Sequence, residues 1–197
     1  MSKKKKNTNN KYKGKNKSQK NIPPDPKKFF KSIGLKPFHP TENEMSHVLR
    51  RDFGQETEKQ FWVAENHTDH RQSWFFSHSN IGLAKIRYRN DFDILCNIAS
   101  QLAEIKVPSS PRVLDVGGAA GPLAFWMQRV WNAKEVVVAD MYPTMGQNWA
   151  NQLGITGVRY VNATLPDMVL NTNKKFDVIV LSRVLHFIRG VTYAVRF

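Results

Sequence analysis

Between Arg112 and Met127 the chain reads Arg-Val-Leu-Asp-Val-Gly-Gly-Ala-Ala-Gly-Pro-Leu-Ala-Phe-Trp-Met. A short apolar run enters a glycine-rich turn, and the turn opens into an apolar segment of helix formers. Strand, glycine loop and helix in immediate succession constrain the fold more than any other feature of the sequence. Such a loop lets a ligand approach the backbone closely, and the helix N-terminus offers N–H groups with no intrahelical partner. The alternation then continues. Glu135-Val-Val-Val-Ala139 ends in Asp140, and a helix is expected around Thr144 to Leu153, stopped by Gly154. Val158-Arg-Tyr-Val161 reads as a third strand, and Phe176-Asp-Val-Ile-Val-Leu181 as a fourth that leads into Ser182. Strands alternating with helices of roughly ten residues predict an α/β fold around a mostly parallel sheet of about four strands, covered on both faces. Ligands of such sheets sit at the carboxyl ends of the strands, near the point where strand order reverses. The 117–121 loop, Asp140, Asn162 and Ser182 are therefore the places to watch.

Upstream, the patterning is helical. Pro23, Pro24 and Pro26 end a polar tail. Thr41 with Glu44 three residues on reads as a capping box, followed by the apolar face of Met45, Val48 and Leu49. A weaker helix is expected over Gln55 to Glu65, and residues 66–80 read as a loop. Tyr88, Phe92, Leu95, Ile98, Ala99, Leu102 and Ile105 recur every three or four residues, which predicts one amphipathic helix from about Leu83 to about Ile105. Pro108-Ser-Ser-Pro111 separates it from the first strand. The expected organisation is a disordered Lys-rich tail (1–26), a helical extension or cover (27–110) and an α/β domain (111–197).

Charge is concentrated in the tail. The whole chain carries +14, and residues 1–36, with 13 Lys and one acid, account for +12 of it. Residues 1–21 hold too little apolar area to offset their ordering entropy. A lysine cluster of this kind suits RNA or another acidic partner, or else merely keeps the chain soluble. No apolar run approaches the ~20 residues of a membrane helix, so no membrane association is expected. There is no secretory h-region at the N-terminus. The single cysteine, Cys96, reads as a small core residue and fits a reducing compartment. The expected location is intracellular and cytoplasmic, or nuclear in a eukaryote.

Nicotinamide and flavin sites require G-x-G-x-x-G, which this loop lacks, because Ala119 and Ala120 take the second-glycine positions. What is present is Asp115-x-Gly117-x-x-x-Gly121, followed by Glu135-Val-Val-Val-Ala-Asp140, Arg159-Tyr-Val-Asn-Ala-Thr-Leu-Pro166 and Lys175-Phe-Asp-Val-Ile-Val-Leu-Ser-Arg-Val-Leu-His-Phe187. Together these resemble the Rossmann-like class I S-adenosylmethionine-dependent methyltransferases, over about Arg112 to Phe187. The resemblance implies S-adenosylmethionine as cofactor and a role for each matching position. Asp115 would orient the glycine loop and help hold the amino group of the methionine moiety. Gly117 and Gly121 would let the backbone approach. Asp140 would accept hydrogen bonds from both ribose hydroxyls, so that its loss weakens cofactor binding and leaves stability nearly unchanged. Met141 would pack on the adenine, with Asn162 and Ala163 at the adenine edge, and Ser182 would line the methionine end through its backbone. Ala119 departs from the pattern, since the family usually has glycine there.

Plainer readings compete at each position. Gly117 and Gly121 serve close packing in many strand-to-helix turns, Asp140 suits a helix cap, Asn162 a turn, and Met141 ordinary core. His186 is a weak candidate base near neutrality. His67-x-x-His70 lacks a third ligand at clear spacing, so no metal is expected. Trp74-Phe75-Phe76 reads as core or lid rather than a base-stacking platform. The segment after the fourth strand, Ser182-Arg-Val-Leu, lacks the Asn/Asp-Pro-Pro-aromatic motif of enzymes that methylate exocyclic base nitrogens. The acceptor therefore stays open among small molecules, RNA and protein. The family sheet commonly has seven strands and this sequence supplies about four, as expected of a fragment, a natural short form, or a sheet completed by a partner chain. The competing reading is a non-catalytic, degenerate methyltransferase fold that binds RNA or protein through its basic tail.

Overall fold

The computed structural model describes residues 24–66, 80–163 and 175–184. Four strands, β1 (Arg112–Val116), β2 (Glu135–Asp140), β3 (Val158–Asn162) and β4 (Val178–Val180), form an all-parallel sheet in the order β3-β2-β1-β4. The chain steps outward from β1 to β2 and β3, then returns to the other side of β1. The strand order thus reverses between β1 and β4, and the fold is Rossmann-like. Seven helices are described: α1 (Pro26–Ser32), α2 (Glu42–Phe53), α3 (Gln55–Glu65), α4 (Ile81–Asn90), α5 (Phe92–Glu104), α6 (Pro122–Val130) and α7 (Pro143–Gln152).

The period-2 alternation of the strands divides the core. Val113, Val136, Val138, Val158 and Tyr160 point to one face, where they meet Phe30 of α1, Phe92 and Ala99 of α5, Phe125 and Trp126 of α6 and Trp149 of α7. Leu114, Val116, Val137 and Ala139 point to the other face, against Val161, Phe176 and Leu181. Parallel strands buried on both faces read as continuous apolar runs, which is why β1 and β2 are so legible. Two tryptophans tie α6 and its C-cap to α5. Trp126 Nε1 donates to the Ala99 carbonyl at 2.8 Å and Trp131 Nε1 to the Leu102 carbonyl at 3.2 Å. A second, smaller cluster joins Met45 and Leu49 of α2, Phe61 of α3, and Leu83 and Ile86 of α4.

The capping box forms as expected: Glu44 N donates to Thr41 Oγ1 at 3.3 Å and Thr41 N to Glu44 Oε2 at 2.8 Å. Cys96 is buried. Three expectations change. The long helix over 83–105 is two helices, broken at Asp91 (φ −86°, ψ 18°), which ends α4 and begins α5. Asn90 and Asp91 are weak helix formers that favour caps, and the apolar periodicity runs across the break unaltered. Helix α1 was not anticipated; Asp25 caps it by accepting from Lys27 N, Pro26 starts it, and Phe30 anchors it in the core. Strand β4 spans three residues, half the expected length. Residues 1–23, 67–79, 164–174 and 185–197 lie outside the described residues. The Lys-rich tail, His67, His70, the Trp74–Phe76 run and His186 therefore go without structural comment. Among the described residues no helix is long and apolar enough to cross a membrane.

Candidate functional site

The carboxyl ends of β1, β2 and β3 bring most of the singled-out residues together. In the loop after β1 every second residue is left-handed: Gly117 has φ +67°, Ala119 +52° and Gly121 +83°. A glycine is at ease there, while an alanine costs about 1 kcal/mol or more. Ala119 thus holds a left-handed conformation at a cost that a glycine there would not carry. A Cβ at Gly117 would overlap the Val184 side chain, and one at Gly121 the hydroxyl of Tyr160. Both glycines therefore serve close packing within the chain as well as their backbone conformation.

Three side chains hold this loop. Ala119 N donates to Asp140 Oδ2 at 2.9 Å, Ala120 N donates to the Tyr88 hydroxyl at 3.2 Å, and the Tyr160 hydroxyl donates to the Ala120 carbonyl at 2.9 Å. Burial pushes the pKa of both phenols well above the ordinary value, so they stay protonated. Asp140 also accepts from Tyr142 N, at 2.9 Å on Oδ1, where the chain turns into α7. Each carboxylate oxygen thus has one backbone N–H partner and keeps further acceptor capacity. Asp140 thus joins the β1 loop to the end of β2, so its loss bears on stability as well. It is not the N-cap of α7, which is Tyr142.

Asp115 lies beneath the loop, 1 % exposed, with Oδ2 lacking any hydrogen-bond partner. A Cβ on Gly118 would collide with that carboxylate and with Val138. Burial, reinforced by the charge of Asp140, pushes the Asp115 carboxyl up to about 7. An unpartnered buried carboxylate at the end of a strand calls for a donor that the described residues do not supply.

Met141 is 53 % exposed, so the core reading of it does not hold. Asn162 Nδ2 reaches the Met141 carbonyl at 3.4 Å, and Ala163 N donates to the Asp140 carbonyl at 3.1 Å. Asp140, Met141, Asn162 and Ala163 therefore form one continuous patch across β2 and β3. Ser182 follows β4, half-buried, on the other side of the reversal point. Tyr88 and Tyr160 are the residues that sequence reading missed. The periodicity marked Tyr88 only as a member of a helix face, and Tyr160 is the buried tyrosine of a strand; neither pattern says where a hydroxyl goes. Among the described residues no group of three or more His, Cys, Asp or Glu is placed to hold a metal ion.

Residues 114–196 match the model of a family described as a methyltransferase domain. No curated protein matches the chain. Among solved structures, the YcgJ protein of Bacillus subtilis is similar at 22% identity with a TM-score of 0.45, over 50% of this chain and 42% of that one. The PRMT1 enzyme–prozyme complex of Trypanosoma brucei with AdoHcy is 28% identical with a TM-score of 0.37, over 46% of this chain and 28% of that one. A dimethyladenosine transferase from Plasmodium falciparum is 20% identical with a TM-score of 0.37, over 45% and 33%. The chain spans less than half the length of each of these structures.

Proposed function

We propose that the chain, whose residues 114–196 match the model of a methyltransferase domain, binds S-adenosylmethionine at the carboxyl ends of β1, β2 and β3 and serves methyl transfer. The observation that carries this reading is the pairing of Asp140 with the glycine loop. A carboxylate with spare acceptor capacity stands at the end of β2, one hydrogen bond from a left-handed loop at the end of β1. The orphaned Oδ2 of Asp115 fits the same reading, because an ammonium group is the donor it lacks.

The remaining lone pairs of Asp140 suit the two ribose hydroxyls. Met141 offers exposed apolar surface to an adenine ring, and Asn162 with Ala163 border the same patch. Gly117 and Gly121 give the loop its left-handed turns, and Ser182 faces the methionine end across the strand-order reversal. The cofactor supplies an electrophilic methyl group on a sulfonium. The chain's own tasks are then to hold geometry and exclude water, which is where most of the acceleration in such transfers comes from. The acceptor is a small molecule, an RNA or a protein; the absence of Asn/Asp-Pro-Pro-aromatic after β4 argues against exocyclic base nitrogens.

Titration calorimetry with S-adenosylhomocysteine tests the reading without knowledge of the acceptor. Saturable binding is expected for S-adenosylhomocysteine and none for NAD. NAD binding with no response to S-adenosylhomocysteine overturns it.

A further inference from the structure

The C-terminal turn of α4 touches both sides of the strand-order reversal. Tyr88 and Asp91, three residues apart, lie on one face of that turn. Tyr88 accepts from Ala120 N at 3.2 Å, on the loop after β1. Asp91 Oδ2 accepts from Arg183 at 2.9 Å, on the loop after β4. Asp91 precedes α5 at the position where an aspartate ordinarily caps a helix, yet its side chain makes no capping hydrogen bond. Its side chain pairs with Arg183 instead. Arg183 has φ +57°, a left-handed conformation uncommon for a residue with a β-carbon, held while its guanidinium meets Asp91. The next residue, Val184, packs over Gly117, so the loop after β4 lies directly on the glycine loop.

We propose that Tyr88 and Asp91 are positioning residues for the cofactor site: one turn of an N-terminal helix sets the glycine loop through Ala120 and the loop after β4 through Arg183, and so fixes how the two loops are seated against each other at the strand-order reversal. This rests on the proposed cofactor reading. Neither residue reacts. Both act through loops whose backbone the cofactor would meet, and the binding energy then depends on those loops being held in place beforehand.

The test uses the full chain with Tyr88→Phe, Asp91→Asn and the control Arg89→Ala. Phenylalanine keeps the ring that packs 6.2 Å from Trp149, so that variant is expected to fold. Arg89 sits on the same helix but reaches the Lys36 carbonyl and stacks on Phe38, away from the cleft. Two readouts are taken: S-adenosylhomocysteine affinity by calorimetry, and amide hydrogen exchange at Ala120 without ligand. Tyr88→Phe is expected to weaken affinity about three- to tenfold and to speed exchange at Ala120. Asp91→Asn, which loses a half-exposed ion pair, is expected to weaken affinity about two- to fivefold. Arg89→Ala is expected to lower the melting temperature with affinity unchanged. Wild-type affinity in both cleft variants, or an equal loss in Arg89→Ala, overturns the inference. If wild type itself ignores S-adenosylhomocysteine, the cofactor reading fails instead, and unchanged exchange at Ala120 in Tyr88→Phe then overturns the positioning role on its own.

Discussion

Asp140 holds two backbone N–H groups and, in the proposed function, a ligand as well. Its two oxygens take the backbone N–H groups of Ala119 and Tyr142, and the proposed ribose contacts use what remains. Asp140→Ala is therefore expected to weaken S-adenosylhomocysteine binding about ten- to a hundredfold, the loss of one or two charge-assisted hydrogen bonds worth roughly 1.5–3 kcal/mol each. It is also expected to lower stability by about 1–2 kcal/mol, because two N–H groups lose their partner. Calorimetry and urea denaturation read the two effects separately, and a stability loss with unchanged affinity confines Asp140 to the structural part. Asp115 gives a pH signature. Its carboxyl titrates near 7 in the folded chain and near 3.8 in the unfolded one. Between those values the folded state holds a proton that the unfolded state has released, so this group's contribution to stability falls as pH rises from about 4 to about 7. Asp115→Asn removes that dependence. The melting temperature of wild type minus that of the variant is expected to decline across this window and to level off above it; a flat difference assigns Asp115 an ordinary carboxyl. The two proteins share every other titratable group, so the difference isolates Asp115. The sequence disclosed Asp115 and Asp140 because acids at strand ends carry a recognisable chemistry. It concealed Tyr88 and Tyr160, because a tyrosine's ring satisfies the apolar pattern while its hydroxyl does the holding.

At the scale of elements, the two ends of the sheet do different work. At the amino ends, opposite the cleft, Arg112 binds β1 to its neighbours. Its guanidinium donates to Glu135 Oε2 of β2 at 2.7 and 3.2 Å and to the Lys175 carbonyl before β4 at 2.7 Å, and lies 5.1 Å from the Phe176 ring. The Arg112 hydrogen bonds, with help from Arg159, hold the Glu135 carboxyl below the usual range. Arg112 is only 14% exposed, so these contacts are less screened than a surface pair. Arg112→Ala is expected to cost about 1–3 kcal/mol in urea denaturation while S-adenosylhomocysteine affinity stays within about twofold. A large loss of affinity in this variant would mean that the amino ends of the strands govern the cleft. β1 and β2 and the two helices that follow them were legible because burial on both faces leaves apolar runs between glycine and proline signals, and β3 because, at the edge, Val158 and Tyr160 are buried while Arg159 is exposed. The break at Asp91 was not, because Tyr88, Phe92 and Leu95 keep helical spacing across it, and periodicity reports which face is buried without reporting a change of axis. β4 came out short for a related reason: its apolar run is as long as β2's, yet it pairs with β1 over three residues only.

The whole molecule couples its helices to its sheet and keeps its charge elsewhere. Phe30, Leu35, Phe92 and Ala99 from the N-terminal part share a single core with Val113, Trp126, Val136 and Trp149, so the helices and the sheet are expected to unfold together. The excess charge belongs to neither. Residues 37–197 hold 17 Lys and Arg against 15 acids, which leaves +2 of the +14. Removing residues 1–21 takes away nine Lys and no acid, lowering the net charge from +14 to +5. That deletion is expected to leave both S-adenosylhomocysteine affinity and melting temperature almost unchanged, because residues 1–21 hold almost no apolar area with which to join the core. If the chain associates with RNA through its lysines, affinity for a single-stranded RNA is expected to fall strongly on deletion. The slope of log affinity against log salt is expected to flatten as well, since that slope counts the phosphates neutralised. Both are measured by fluorescence anisotropy over a salt series, with the full chain and the deletion side by side. A deletion that retains full RNA affinity and the same slope would place the binding surface in the folded body, beside the cleft, and would make RNA the first acceptor to test for methylation.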